Sequence, residues 1–309
     1  MEENMPKKRS KWVFAVNKAF NLYGRLFGFR EKFTILCKVI VISQNKRMKV
    51  KNIAMVAVLL AITLLTSSTS LRKSDFQIKK VVIDAGHGGH DPGTHGNISK
   101  EKDVALEVSK KLGGYINEYL PDVEVIYTRD SDTFVELEQR AVIANKNQAD
   151  VFISIHANAV SKNTIYGTET YVMGTHKTEG NFEVAKRENS VILYEEGYEE
   201  KYEGFDPNSP ASQILFSLTQ SAYIENSLYL ASQIEHQFGT RVGRKSRGVK
   251  QAGFWVLWRT SMPSVLVEIG YLTNPKEEKE LNNKSTQGDI ASGIFRAFRD
   301  YKNEIESLN

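Results

Sequence analysis

Histidine and glutamate side chains lie at the ends of, or just beside, several short apolar runs in this sequence. His87 and His156 each follow such a run, Glu268 lies inside another, and Glu101 opens a stretch with helical spacing. Two imidazoles and one carboxylate form a common ligand set for a catalytic zinc ion, with a further position left for water. A second carboxylate can take a proton from that water and pass it to a leaving amine. These residue types therefore indicate metal-assisted hydrolysis.

Each of these residues also has a structural interpretation. A histidine at a strand end is more often structural than a ligand, and Glu101 could be a first-turn acid that the helix dipole favours. Glu268 could lie on an exposed sheet edge. A charge inside an apolar run is costly unless it is paired or bound to a metal. Because all four side chains can converge on one end of a sheet, the functional interpretation is favoured.

Apolar spacing predicts alternating strands and helices. Strands are predicted at residues 80–84, 123–127, 150–156, 167–172, 254–257 and 265–269, and helices at 102–119, 136–146, 227–238, 275–281 and 287–302. This alternation indicates an α/β domain with a mostly parallel sheet, whose site lies at the carboxyl ends of the strands. Segment 174–226 is too long for a plain loop, so it is predicted to be an inserted helical element.

The N-terminal 70 residues contain the pattern of an export signal. Residues 48–70 have the basic start, apolar centre (53–65) and small-residue end of a secretory signal peptide. The apolar centre is shorter than the ~20 residues that cross a bilayer. We expect translation to start at Met48, so that 1–47 is an upstream basic extension, with a linker at 71–78 and one domain at 79–303. The alternative is an uncleaved anchor behind a cytoplasmic tail.

Charge is distributed unevenly along the 309 residues. The first 70 residues hold 13 Lys/Arg and 3 Asp/Glu, whereas the remaining 239 hold 28 and 34, although the whole chain carries +4. A mildly acidic main part argues against a nucleic-acid binder. The single cysteine, Cys37, excludes an intrachain disulfide and a zinc site built on several thiolates.

Five motifs follow one another in order along the chain. They are IDAGHGGHDPG (83–93), KEKD (100–103), TRD (128–130), SIHAN (154–158) and PSVLVEIGYLTN (263–274). This ordered set resembles the zinc-dependent N-acetylmuramoyl-L-alanine amidases of amidase family 3, over residues 79–301. The resemblance implies a single α/β domain with a mixed central sheet. It also implies cleavage of the amide between the lactyl group of N-acetylmuramic acid and the L-alanine of the peptide stem in peptidoglycan.

Matched motif by motif, the resemblance assigns a role to each candidate residue. It implies one zinc ion held by His87, Glu101 and His156, with Glu268 as the general base toward water and then the general acid toward the departing nitrogen. Asn158 is interpreted as a group that orients substrate or supports the metal ligands. Arg129 is expected to anchor a strand end by ion pairing, with substrate binding as the alternative.

Segment 174–226 falls where some members of that family carry a helical region that blocks the zinc until an activator displaces it. By resemblance, a glutamate of this segment could cap the open zinc position. The acidic candidates are Glu195, Glu196, Glu199, Glu200 and Glu203. The alternative is a solvated helical face or a wall of the substrate groove.

The expected function is that of an exported peptidoglycan amidase of the periplasm or cell-wall space, either free or anchored through 48–70. Its expected partners are peptidoglycan and an activator acting on 174–226, with no nucleic acid; the sequence leaves the oligomeric state open. An alternative from another class is a catalytically silent wall-binding or regulatory protein on the same fold. A serine hydrolase lacks support, because the sequence contains no Gly-x-Ser-x-Gly.

Overall fold

The computed structural model describes residues 76–209, 211–212 and 222–308. The predictions for 1–47 and 48–70, and most of the predicted linker at 71–78, lie outside these residues. In the described ranges no helix has both the length and the apolar character that a membrane span needs. The boundaries of the domain at 79–303 stay predictions.

A mixed sheet of six strands forms the centre of the described residues. The strands are β1 (Lys80–Ala85), β2 (Glu124–Tyr127), β3 (Val151–Asn158), β4 (Thr168–Met173), β5 (Ser246–Ala252) and β6 (Ser264–Tyr271). Their order across the sheet is β2-β1-β3-β6-β4-β5. Strands β2, β1, β3 and β6 run parallel to one another. Strands β4 and β5 are also parallel to each other, but β4 runs antiparallel to β6. This topology confirms the predicted α/β fold with a mostly parallel, mixed sheet.

Helices cover both faces of the sheet. In the described ranges they are α1 (Glu101–Tyr119), α2 (Leu137–Lys146), α3 (Glu179–Asn189), a 3₁₀ turn (Ser190–Tyr194), α4 (Tyr198–Lys201), α5 (Ile224–Gln237), a π-helical turn (Phe238–Val242), α6 (Trp255–Trp258), α7 (Pro275–Leu281) and α8 (Lys284–Leu308). Alternate residues of β1 face opposite layers: Val81 and Ile83 join the core with α1, α5 and α8, and Val82 joins the core with α2, α3 and α6. Burial on both faces explains the continuous β-branched runs of the central strands.

One edge of the sheet collects the polar side chains. The parallel strands β1, β3 and β6 end there, which brings His87, His156 and Glu268 to the same edge. The opposite direction of β4 and β5 means that both strands begin at this edge. Residues at strand ends and at strand starts therefore meet in one place.

The strand predicted at 254–257 is wrong. These residues belong largely to the short helix α6, where the ring centroid of Trp255 lies 4.7 Å from that of Tyr202 and 5.0 Å from that of Phe205. A four-residue apolar run fits a buried strand and a buried helix equally well, so packing decides between them. The prediction missed β5, which reads SRGVKQA and is half-buried as an edge strand.

The described residues of 174–226 confirm the predicted helical character of this segment, which contains α3, the 3₁₀ turn and α4. The Thr178 side chain caps α3 by accepting a hydrogen bond from the N–H of Asn181 at 3.2 Å. At the other end, Asn189 donates to the carbonyl of Gly253 at 2.7 Å and accepts from the N–H of Trp255 at 2.8 Å. Hydrogen bonds therefore cap α3 at its start and join its end to the segment before α6.

Candidate metal centre and active site

The loop after β1 carries His87 to the sheet edge in an uncommon backbone conformation, with a φ of 60°. Two glycines make room for the rings nearby. A Cβ on Gly86 would lie 2.5 Å from Cε1 of His156, and a Cβ on Gly93 would lie 2.5 Å from Cδ2 of His87. The backbone can therefore approach both imidazoles only because these positions are glycine.

Arg140 holds the backbone of this loop by hydrogen bonds. Its buried guanidinium donates to the carbonyls of Ala85 (2.8 Å) and His87 (2.9 Å) and pairs with Asp84 at 2.8 Å. Burial acts to raise the pKa of Asp84, but the Arg140 charge and two hydroxyl donors hold it below its usual value. A charged pair thus anchors the backbone that presents His87.

Arg129 holds the same loop, but not by the ion pairing that the sequence led us to expect. Its guanidinium donates to the carbonyls of Ala85 (2.9 Å), Gly86 (2.7 Å), Lys102 (2.8 Å) and Ser131 (3.1 Å). Carbonyl oxygens at the end of β1, in the loop after it, in the first turn of α1 and at Ser131 accept these hydrogen bonds, and no carboxylate of the described residues forms an ion pair with Arg129.

Four buried side chains converge at the sheet edge, with one ligand atom of each lying within 4.8 Å of the others. Three are the predicted metal ligands: Nε2 of His87 is 3.2 Å from Oε2 of Glu101, and Nδ1 of His156 is 3.1 Å from Oε1 of Glu101. The fourth is Glu188 of α3, whose Oε2 lies 3.1 Å from both imidazole nitrogens. We call these four residues the ligand cluster.

Hydrogen bonds orient the ligand atoms toward the middle of the cluster. Nδ1 of His87 lies 2.7 Å from Oδ2 of Asp91, and in the neutral ring this contact with an accepting carboxylate places the proton on Nδ1 and leaves the Nε2 lone pair for a metal. That Nε2 is buried and forms no hydrogen bond with any described residue. The oxygens of Glu101 accept from the N–H groups of Thr94 and Ala157, each at 2.8 Å. This support is typical of metal sites.

Charge in the ligand cluster favours a cation. Burial acts to raise the pKa of Glu101, but the His87 imidazole lowers it well below its usual value. Burial acts to lower the pKa of His156, whereas Glu188 and Glu101 raise it to about 9. A divalent cation bound to neutral imidazoles would satisfy the same carboxylates. Donor types, orientation and charge thus fit a metal ion.

Sequence reasoning missed Glu188. It pointed to the acidic cluster further along, but Glu195 instead accepts hydrogen bonds from the N–H of Leu137 (3.0 Å) and the hydroxyl of Tyr202 (2.7 Å). The signal that could have found Glu188 is helical spacing: Val184 is buried against the sheet, and a residue one turn later faces the same side.

Arg187, beside Glu188 on α3, joins the ligand cluster to Asn158 and Glu268. Its Nη2 donates to Oδ1 of Asn158 at 3.0 Å and lies 2.9 Å from Oε1 of Glu188. The same atom lies 3.6 Å from Oε1 of Glu268. The structure therefore brings Asn158 to the site through an arginine of the inserted segment, and the role of Asn158 toward substrate stays a prediction.

Glu268 is completely buried, and neither carboxylate oxygen accepts a hydrogen bond from any described residue. Burial and the nearby carboxylate of Glu188 raise its pKa well above the usual value, while Arg187 opposes the shift. A buried carboxyl group without hydrogen-bond partners is rare outside functional sites. The group is suited to take up and release a proton next to the ligand cluster.

Comparison with known proteins agrees with this geometry. Residues 81–300 match the family model described as N-acetylmuramoyl-L-alanine amidase. N-acetylmuramoyl-L-alanine amidase AmiA of Escherichia coli (strain K12) is 35% identical over 224 residues, which cover 72% of this chain and 75% of that protein.

Solved structures of similar chains carry the same fold. The crystal structure of N-acetylmuramoyl-L-alanine amidase from Clostridium difficile 630 matches with a TM-score of 0.55 and 29% identity, covering 74% of this chain and 98% of that one. The CwlD amidase from Clostridioides difficile, solved in complex with the GerS lipoprotein, matches with a TM-score of 0.53 and 25% identity, covering 72% and 98%.

The contact between Asp91 and His87 yields a first prediction. Asp91→Ala removes the carboxylate that fixes the proton on Nδ1, so we expect affinity for Zn²⁺, used as the probe, to fall roughly 10–100-fold. Competition against a chromophoric chelator measures it. Asp130→Ala, at an exposed position, is the matched control and should retain the parent affinity. Equal affinities for the two variants would contradict the orienting role.

Proposed function

We propose that this chain, which belongs to the N-acetylmuramoyl-L-alanine amidase family, holds one zinc ion on His87, Glu101 and His156 and moves protons through Glu268. The chain is a hydrolase of the amide bond between N-acetylmuramic acid and L-alanine in peptidoglycan. The observation that carries the mechanism is a buried carboxyl group without hydrogen-bond partners beside a convergent set of metal-ligand atoms.

The choice of zinc rests on the donor set. Two imidazoles and one carboxylate are typical of catalytic zinc sites, and His87 and Glu101 each have hydrogen-bonded support from groups outside the ligand cluster. When bound, zinc makes water a nucleophile near neutral pH and polarises a carbonyl oxygen. Asp91 and the backbone N–H groups contribute by keeping the ligand atoms in place.

Glu268 supplies the proton transfers in this mechanism. Its carboxylate accepts a proton from the attacking water, and its protonated form delivers that proton to the nitrogen of the departing L-alanine. Burial and the carboxylate of Glu188 raise the pKa of Glu268 above its usual value, which favours uptake of a proton by this group.

A catalytically silent wall-binding protein on the same fold is the competing interpretation. It predicts no release of soluble fragments from dye-labelled sacculi, whereas the amidase predicts release that a chelator abolishes. Retention of the three predicted ligands and of Glu268 in convergent positions supports the enzyme.

Glu268→Gln separates proton transfer from metal binding. We expect zinc content to be unchanged and the rate of dye release to fall roughly 10²–10⁴-fold, because the amide cannot exchange the proton. Metal analysis and dye release from labelled sacculi measure the two effects. Glu118→Gln, at an exposed position of α1, is the control and should match the parent. Substantial turnover by Glu268→Gln would overturn the assigned role.

We also propose that α3 holds the enzyme in an inhibited state. Glu188 contributes the fourth ligand atom of the cluster, at 3.1 Å from both imidazoles, in the position that substrate and water need. Neighbouring Arg187 lies against Glu268. An activator that moves α3 would open both the ligand cluster and Glu268 to substrate. A solved relative, the CwlD amidase, is bound to a lipoprotein, which supports a protein partner of this kind.

Glu188→Gln tests this inhibition. A neutral amide is a much weaker ligand than a carboxylate, so we expect the basal rate of dye release to rise at least tenfold, about 1.4 kcal/mol in the closing equilibrium. Glu183→Gln changes an exposed glutamate of the same helix and should leave the rate unchanged. If both variants release dye at the parent rate while zinc content is constant, α3 does not inhibit.

We also propose that the protein is exported. Residues 48–70 have the pattern of a signal peptide, and the substrate is a cell-wall polymer. N-terminal sequencing and intact mass of the native protein should give a mature chain that begins near residue 71. A membrane-bound protein that retains 48–70 would instead support the anchored form, and recovery from the cytoplasm would contradict export.

A further inference from the structure

A second charged cluster lies on the side of Glu268 away from the metal ligands. Glu169, near the start of β4, is the cross-strand partner of Glu268 on β6, so the two carboxylates share one face of the sheet. Glu169 is buried and accepts hydrogen bonds from five donors. They are Arg247 Nε (2.7 Å), Lys250 Nζ (2.5 Å), Tyr271 OH (2.6 Å), Tyr171 OH (2.7 Å) and Asn158 Nδ2 (3.3 Å).

A β-bulge aims Arg247 at this cluster. Thr168 pairs with Ser246 and Thr170 pairs with Val249, so Arg247 and Gly248 of β5 both lie opposite Glu169. The φ of Gly248 is +84°, a conformation that favours glycine. Lys250 pairs with Tyr171, two residues after Glu169, and reaches the same face without a bulge. Bulges that redirect a side chain are frequent beside active sites.

The cluster carries more positive than negative charge toward solvent. Arg247 and Lys250 share the single carboxylate of Glu169, and their side chains are 29% and 22% exposed, whereas that of Glu169 is 2% exposed. The two cations also lie over tyrosine rings, Arg247 at 5.7 Å from the Tyr271 centroid and Lys250 at 5.9 Å from the Tyr171 centroid. A second carboxylate approaching from solvent would complete the charge balance.

The order of the strands indicates which part of the substrate carries the carboxylate that approaches Arg247 and Lys250. The order β1-β3-β6-β4-β5 places the metal-ligand histidines, then Glu268, then Glu169, and finally the two cations. In the proposed reaction the carbonyl faces the ligand cluster and the amide nitrogen faces Glu268. The peptide attached to that nitrogen therefore runs toward β4 and β5.

We propose that Arg247 and Lys250 form a subsite that binds a carboxylate of the peptide stem. The inference rests on the proposed function, because it uses the proposed orientation of the scissile amide. The ligand class is an acidic peptide linked through its amino end to muramic acid. Binding at this subsite makes the enzyme prefer stems with free carboxylates over stems in which they are amidated.

An edge strand can also carry cations merely to prevent pairing with another chain. That explanation predicts no dependence of activity on the carboxylates of the substrate. Lys245, just before β5, lies 4.8 Å above the ring centroid of Tyr166 and forms no ion pair within the described residues. Lys245 is therefore the matched control for Lys250, because each is a lysine that lies over a tyrosine ring.

The test compares steady-state kinetics on two preparations of soluble glycan-linked peptides from peptidoglycan, one with free carboxylates and one converted to carboxamides. We expect Arg247→Gln and Lys250→Gln to raise KM for the free-carboxylate substrate roughly 10–100-fold with little change in kcat. KM for the carboxamide substrate should not change, and Lys245→Gln should match the parent on both. Lys250→Arg, which keeps the charge, should retain most of the preference.

Two results would overturn the subsite. One is equal KM of the parent enzyme for both substrates; the other is an equal loss on both substrates in the two glutamine variants, which indicates a structural defect around Glu169. Failure of the proposed function looks different, because the parent enzyme would then cleave neither substrate or Glu268→Gln would remain active.

Discussion

The site depends on the compensation of four carboxylates that are buried at one edge of a sheet. Glu101, Glu169, Glu188 and Glu268 are each almost fully removed from water, and an uncompensated buried charge costs several kcal/mol. Positive groups lie beside all four. The imidazoles of the ligand cluster, and the cation proposed to bind there, compensate Glu101 and Glu188; Arg187 lies between Glu188 and Glu268, and Arg247 and Lys250 of β5 pair with Glu169. Glu268 is the least compensated of the four, and this is the property that general acid–base catalysis requires.

Backbone contacts behind the site make this arrangement rigid. The loop after β1 is held by its carbonyl oxygens, which accept from Arg129 and Arg140, so the His87 backbone keeps its positive φ. Glu101 is fixed through both oxygens by N–H donors from separate segments. Metal ligands that are oriented before the metal arrives lose little conformational freedom on binding it. The sheet and the loop after β1 thus supply the rigid half of the site, and α3 supplies the half that is proposed to move.

How far the sequence could predict this structure follows from where each residue lies. The histidines and Glu268 were predictable because they sit beside strongly apolar strands, and parallel strands bring their carboxyl ends together. Glu188 was missed because helical spacing places it only on the buried face of α3, and where that face meets the site depends on how α3 docks, which neither charge nor motif reveals. The edge strand β5 was missed because six of its seven residues are only half-buried, so it lacks the apolar run of the central strands. The opposite error at 254–257 arose because a short buried run has no distinctive period.

The consecutive positions of Arg187 and Glu188 have a consequence for regulation. A movement of α3 as a rigid helix would withdraw the Glu188 carboxylate from the imidazoles and the Arg187 guanidinium from Glu268 together. The proposed inhibition would then behave as one equilibrium between a closed and an open helix, not as two independent contacts. By thermodynamic linkage, a protein that stabilises the open helix must tighten peptidoglycan binding by the same factor with which peptidoglycan tightens the binding of that protein. The polymer and the partner would therefore recruit each other, and activity would concentrate where both are present.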